Sequence, residues 1–253
     1  MTDIREHLAH KPLLFDGGMG TYYKAAPGAD CEMANLTDPE GVKKVHAEYL
    51  AAGAQAIKTN TFGLPRMAAA QTPGWEELAE AGWKLACDAA AEKDAAVFAD
   101  FGPAPDTEAA PASSAYGLVA QQFAALGAKN FLFETLSSDV GIVEAVKALR
   151  VAVPDAFVMV SFAVLPDGYT REGLLFRDLL RRMEQSGVVD AVGLNCVSAP
   201  GAMKKLVQSL GETLLPLSVM PNAGYPVVTR ARVLYQGCLL YTSDAADDLL
   251  CVD

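Results

Sequence analysis

The sequence predicts an α/β protein of the (β/α)8, TIM-barrel type, incomplete because no eighth strand-helix unit can be recognised. Two observations carry this. Short apolar runs of strand length alternate with amphipathic helical stretches to give seven strand signals and six helices in 253 residues. Most of the runs also end on a polar side chain, and in barrels the carboxyl ends of the strands carry the chemistry. No linker interrupts the alternation, so one large domain over residues 1–235 is expected, followed by a stretch, 236–253, that does not match the fold.

In order, Pro12-Leu13-Leu14-Phe15 is an apolar strand running into Asp16 and the turn Gly17-Gly18-Met19-Gly20-Thr21. The glycines let backbone N–H groups approach an anion, but the spacing is not the dinucleotide fingerprint and no helix pattern follows at once. After a loop at 27–31, Thr37 or Asp38 caps a helix with Pro39 in its first turn, running to about Ala52 and closed by Gly53. Ala56-Ile57-Lys58-Thr59-Asn60 is the second strand. Pro73-Gly74 opens a helix lasting to about Lys93, with Cys87 in its core side. The continuous apolar run 95–103 reads as a strand buried on both faces.

Ser114–Gly127 is the next helix, and Asn130-Phe131-Leu132-Phe133-Glu134-Thr135 the fourth strand, ending in a carboxylate. Ser138 or Asp139 is expected to cap the helix that runs to about Ala152, where Ile142, Val143, Val146 and Leu149 share one face. A fifth strand, 156–162, precedes a helix in Leu174–Gly187 whose Arg177, Arg181 and Arg182 read as a solvated face. Val192-Gly193-Leu194-Asn195-Cys196 is the sixth strand. Pro200–Leu210 is a helix, and Leu215–Met220 a seventh strand with Pro221-Asn222-Ala223-Gly224 as its exit.

Composition narrows the function. Hydrophobic residues make up 51% and charged residues 20%, enough for a large core, and a formal charge of −11 excludes the basic stripe of a nucleic-acid surface or an anionic-membrane face. No apolar stretch approaches the ~20 residues that span a bilayer, and no signal-peptide pattern opens the chain, so a cytoplasmic location is expected. Five cysteines without paired spacing do not form a disulfide framework.

Cys196, at a strand exit, is the first suspect for chemistry: a thiolate there serves as nucleophile, redox group or metal ligand. Set against this is simple burial, the commonest fate of a cysteine. A covalent-nucleophile mechanism lacks a base, since the three histidines, His7, His10 and His46, lie off the strand exits, and His46 faces the apolar side of its helix. The collected exits are Asp16, Thr59, Asn60, Asp100, Glu134, Ser161, Asn195, Cys196 and Asn222.

Taken together, Asp16-Gly17-Gly18-Met19-Gly20-Thr21, Asn35-Leu36 ahead of the helix with His46, Ala52-Gly53-Ala54 leading into Thr59-Asn60-Thr61-Phe62-Gly63, Phe133-Glu134-Thr135 and Gly193-Leu194-Asn195-Cys196 resemble the homocysteine S-methyltransferase family over about residues 12–230. The resemblance implies zinc bound by Cys196 together with two adjacent cysteines near the domain's end, holding the homocysteine sulfur as thiolate for methylation to methionine. It further implies that the turn Asp16, Gly17, Gly18 and Met19 holds the amino acid's carboxylate on backbone N–H groups, that Glu134 with Asp16 binds its ammonium, and that Asn222 lies near the metal. Methylcobalamin or methyltetrahydrofolate is the implied donor, supplied by another domain, with betaine and S-methylmethionine left open. Cobalamin, folate or reductase domains of a longer parent are the implied partners.

The sequence departs from the family in one respect. It contains no adjacent cysteine pair: Cys238 follows Gln236-Gly237, and Cys251 lies between Leu250 and Val252. One sulfur ligand in place of three should not hold zinc tightly. The expectation is therefore a chain truncated before its eighth strand, with an inactive remnant that binds an amino acid weakly as the alternative to an enzyme.

Overall fold

The computed structural model describes residues 3–23, 30–222, 226–228 and 233–235. In chain order the elements are α1 (Ile4–Leu8), α2 (Met19–Tyr23), a 3-10 turn at Cys31–Met33, α3 (Ala34–Thr37), α4 (Pro39–Ala51), β1 (Ala56–Lys58), α5 (Leu64–Ala69), α6 (Trp75–Ala91), β2 (Ala96–Phe101), α7 (Ala112–Ala125), β3 (Asn130–Leu136), α8 (Ile142–Ala152), β4 (Phe157–Phe162), α9 (Phe176–Ser186), β5 (Ala191–Asn195), α10 (Pro200–Leu210) and β6 (Leu217–Met220). These six strands form one sheet in the order β1-β2-β3-β4-β5-β6. Neighbours in sequence are neighbours in the sheet, which is the strand order of a barrel rather than of a doubly wound sheet with its reversal of order. β7 (Pro226–Val228) and β8 (Val233–Tyr235) pair antiparallel in a separate two-stranded sheet.

By compactness the chain divides into two units, one holding residues up to Phe133 together with Val140–Met159, the other Glu134–Asp139 and the chain from Val160 onward. In the first unit the core is aromatic. Phe98, Phe101, Phe123, Phe131 and Phe133 are fully buried, and Phe101 sits edge-on to Phe133 at 5.0 Å between ring centroids. In the second, β4 and β5 bury Val160, Phe162, Val192 and Leu194, and α9 buries Phe176, Leu179, Leu180 and Met183 at helical spacing. Among the described residues no helix is long and apolar enough to cross a membrane.

Local chemistry explains some of the helix ends. Asp38 caps α4 by accepting the Gly41 N–H at 3.1 Å, with Pro39 in the first turn. α9 ends on Gly187 in the left-handed region, φ 66°. Its basic face is exposed, as expected, but it also pairs: Arg182 forks onto Asp139 at 2.6 and 2.9 Å, and Arg181 reaches Asp178 at 3.3 Å. α1, ahead of the first expected element, is tied down by Arg5, whose guanidinium donates to the Asp155 and Ala156 carbonyls at 3.2 and 2.6 Å and lies 5.5 Å from the Phe157 ring. Arg5→Ala should therefore cost about 1 kcal/mol, read as a lower urea midpoint, and Arg5→Lys should recover less than half because the fork is lost. An unchanged midpoint in Arg5→Ala would make α1 an idle attachment.

Three expectations are corrected. The apolar run before Asp16 makes one parallel bridge, Phe15 to Ala56, rather than a strand, because the chain turns at Gly17-Gly18. A helix does follow that turn at once, the single-turn α2. Neither Ser138 nor Asp139 caps α8; Gly141 precedes it in the left-handed region, φ 77°, where a Cβ would meet the Ser113 backbone. The boundary expected at 235/236 and the stretch 236–253, including Cys238 and Cys251, lie outside the described residues.

Candidate functional site

β3 and β5 each deliver a polar pair at their carboxyl ends: Glu134-Thr135 from β3 and Asn195-Cys196 from β5. Glu134 is 6% exposed, Asn195 1%. The Asn195 side chain joins them. Of the two hydrogens on its Nδ2, one goes to Thr135 Oγ1 at 2.8 Å and the other is shared between Glu134 Oε2 at 3.3 Å and Cys196 Sγ at 3.4 Å, while its Oδ1 accepts from the Thr135 N–H and Ser161 Oγ, both at 2.9 Å. Thr135 Oγ1 donates in turn to Cys196 Sγ at 3.5 Å. The orientation of the amide follows from its partners, since the Thr135 N–H can only donate and the carboxylate of Glu134 accepts.

The backbone at both exits is strained. Thr135, Cys196 and Val197 have φ of 61°, 55° and 56°. A β-branched residue in the left-handed region is an outlier that persists only where its surroundings impose it. Here Asn195 binds the Thr135 N–H, the Cys196 N–H donates to the Met220 carbonyl at 3.0 Å, and the fully buried Ser198 anchors the following turn by donating from Oγ to the Val164 carbonyl at 2.7 Å. Asn222 arrives beside this turn, its N–H donating to the Ser198 carbonyl at 3.1 Å.

The other expected residues belong to the first unit. Asp16 is buried, its N–H donating to the Ala56 carbonyl at 2.9 Å and its Oδ2 accepting the Lys58 N–H at 3.0 Å, so β1 fixes the start of the glycine turn. Gly17 lets Tyr49 pack close: a Cβ there would stand 2.5 Å from the Tyr49 hydroxyl, so the tyrosine would have to shift for any other residue. Gly18 offers its carbonyl to Thr21 Oγ1 at 3.2 Å, and Met19 begins α2. The side chains of Thr59 and Asn60 are drawn into structure instead, and Asp100 is bonded to Thr59 and Thr61 through its backbone. Thr59 and Thr61 share a hydrogen bond, Thr61 Oγ1 donates to the Asp100 carbonyl at 2.9 Å, and Asn60 Nδ2 donates to Asn35 Oδ1 and the Cys31 carbonyl, both at 2.9 Å.

Glu134 and Cys196 are thus brought together through Asn195, with Asn222 joined to the Cys196 turn through Ser198. Thr135 and Ser161 as partners of Asn195 are what sequence reading misses. The Phe-Glu-Thr run at a strand exit was the available signal for Thr135. The thiols of Cys31 and Cys87 are each pushed up to about 11 by burial, which leaves them inert near neutral pH. His46 is fully buried, and burial lowers its pKa to about 4, in keeping with a structural role. Among the described residues no group of three or more histidine, cysteine, aspartate or glutamate side chains is placed to hold a metal ion. The three-sulfur zinc set implied by the resemblance is therefore not formed by them.

The chain is 30% identical over 256 residues to the methionine synthase of Mycobacterium tuberculosis, covering 90% of this chain and 21% of that protein, so it spans about a fifth of that relative's length. It is 25% identical over 245 residues to the homocysteine S-methyltransferase of Escherichia coli, covering 84% and 78% of the two chains. The crystal structure of the metallated homocysteine methyltransferase MmuM from Escherichia coli shares the fold, with a TM-score of 0.70 at 24% identity and 88% of each chain covered. The family model for homocysteine S-methyltransferase matches residues 13–238, and the chain belongs to that family.

Proposed function

We propose that this chain binds homocysteine and presents its sulfur for methylation to methionine. The observation that carries the reading is the Asn195 amide, which holds a buried carboxylate at the exit of β3 and a cysteine sulfur at the exit of β5. Glu134 takes the substrate ammonium as a charge-assisted partner, in a setting where little water competes. On the family resemblance alone, the turn of Asp16, Gly17, Gly18 and Met19 is assigned to the amino acid's carboxylate, and Asp16, like Glu134, to its ammonium. Cys196 marks the sulfur end.

Zinc enters through the family alone. Cys196 and Asn222 are the residues assigned to it, and they do not complete a site, so no step is derived through the metal. The methyl donor is assigned to a separate domain carrying methylcobalamin or methyltetrahydrofolate, in keeping with the similarity to a methionine synthase about five times longer in which this chain matches 21%. Residues 1–235 are taken as the homocysteine-binding domain, in the cytoplasm.

Equilibrium dialysis of the full chain against labelled homocysteine tests the reading. Glu134→Gln should weaken binding about tenfold, the worth of a hydrogen bond to a charged group. Absence of homocysteine binding by the unaltered chain, or equal binding by the variant, would sink it.

A further inference from the structure

The geometry assigns Asn195 a part beyond holding a strand end. We propose that Asn195 is a positioning residue that fixes the span between the ammonium-binding carboxylate of Glu134 and the sulfur end of the site at Cys196, and so selects how many methylenes separate the α-carbon and the sulfur of the amino acid. The inference rests on the homocysteine reading above and deepens it.

One side chain touches both ends. Asn195 Nδ2 lies 3.3 Å from Glu134 Oε2 and 3.4 Å from Cys196 Sγ, so the two groups cannot separate without breaking a contact to the same nitrogen. The amide is itself locked: Oδ1 is held by the Thr135 N–H and by Ser161 Oγ, the latter fully buried on β4. Thr135 closes a second path between the ends, its hydroxyl bonded to Asn195 Nδ2 at 2.8 Å and to Cys196 Sγ at 3.5 Å.

A ligand bridging two such points is matched in length or is not. One methylene too few leaves either the ammonium or the sulfur short of its partner. Discrimination of one methylene by an apolar pocket is worth roughly 10- to 200-fold, and a rigid two-point span belongs in that range.

The test compares methionine with S-methylcysteine, which differ by that one methylene and carry no free thiol to capture metal in solution. Calorimetric titration of the full chain should show methionine bound at least about tenfold more tightly. Asn195→Ser should bring the two within about threefold, mainly by weakening methionine, because a shorter hydroxyl cannot reach both Glu134 and Cys196. A purely structural role would weaken both ligands together and leave the ratio unchanged, which overturns the inference while the homocysteine reading stands. Failure of the unaltered chain to bind methionine or homocysteine overturns that reading and this one with it. Should Asn195→Ser not fold, Thr135→Val and Thr135→Ser decide: the ratio falls in the first, which lacks the hydroxyl, and is kept in the second, whereas an unmoved ratio in both overturns the proposal.

Discussion

Gly193→Ala should lower the stability of this protein by about 3 kcal/mol, the upper end of what overpacking a core costs. Gly193 lies in β5, paired in parallel register with Ser218 of β6. A Cβ built there would stand 2.7 Å from the Ser218 carbonyl oxygen, 2.8 Å from Ser218 Cβ and 3.3 Å from Ser161 Oγ. The first of these is backbone inside a sheet and cannot swing aside, so the strands must part. The third ties the fold to the site, because Ser161 Oγ is a donor to Asn195 Oδ1. The same substitution should therefore weaken amino-acid binding as well. Gly117→Ala is the control. Gly117 sits within α7 with no atom within 4 Å of its would-be Cβ, so alanine should raise stability by about 0.5–1 kcal/mol through helix propensity. Urea titrations with unchanged m-values check both, and a Gly193→Ala protein as stable as its parent would show that β5 and β6 separate freely.

Much of this was legible in the sequence because local rules decide it. Pro200 opens α10 at the expected residue, Asp38 rather than Thr37 caps α4, and α9 lies within the helix expected in Leu174–Gly187. The six strands of the sheet stand where apolar runs bounded by turns placed them. The failures share a cause, which is that tertiary contact chose between locally equal options. Ser138 and Asp139 are good caps, yet the backbone before α8 is set by the approach of Gly141 to Ser113, twenty-eight residues away, and Asp139 is used instead by Arg182.

At the site, the residue types were readable and their wiring was not. Glu134 and Cys196 announce themselves as polar side chains closing apolar strands. Thr135 does not, since its importance lies in a left-handed backbone and in a bond to an amide 60 residues further along the chain. No periodicity encodes that, because it depends on the register in which distant strands meet. For the same reason Thr59 and Asn60, equally polar at a strand exit, are told apart from ligand-binding residues only by their hydrogen bonds to Thr61, Asn35 and Cys31.

His46 supplies the strongest expected dependence on pH. It is fully buried in α4, and neither ring nitrogen has a hydrogen-bond partner among the described residues. Burial disfavours the imidazolium and lowers the pKa from 6.5 to about 4. The unfolded chain therefore takes up the proton first as pH falls. Stability is unaffected by this group above about pH 6.5, declines through the interval between about 6.5 and 4, and loses nothing further from it once the folded form is protonated as well. At about 1.36 kcal/mol per pH unit the full loss is about 3 kcal/mol. His46→Leu, similar in volume and free of polar atoms, should remove this share of the acid sensitivity. It should also gain about 1 kcal/mol at neutral pH, because no ring nitrogen is then left unsatisfied. Urea midpoints of both proteins from pH 7.5 to pH 4 give the comparison. Curves that converge toward neutral pH and part below about 6.5 are the expected result, offset by the neutral-pH gain, while parallel curves across the whole range would mean that His46 finds a partner or water when it is charged.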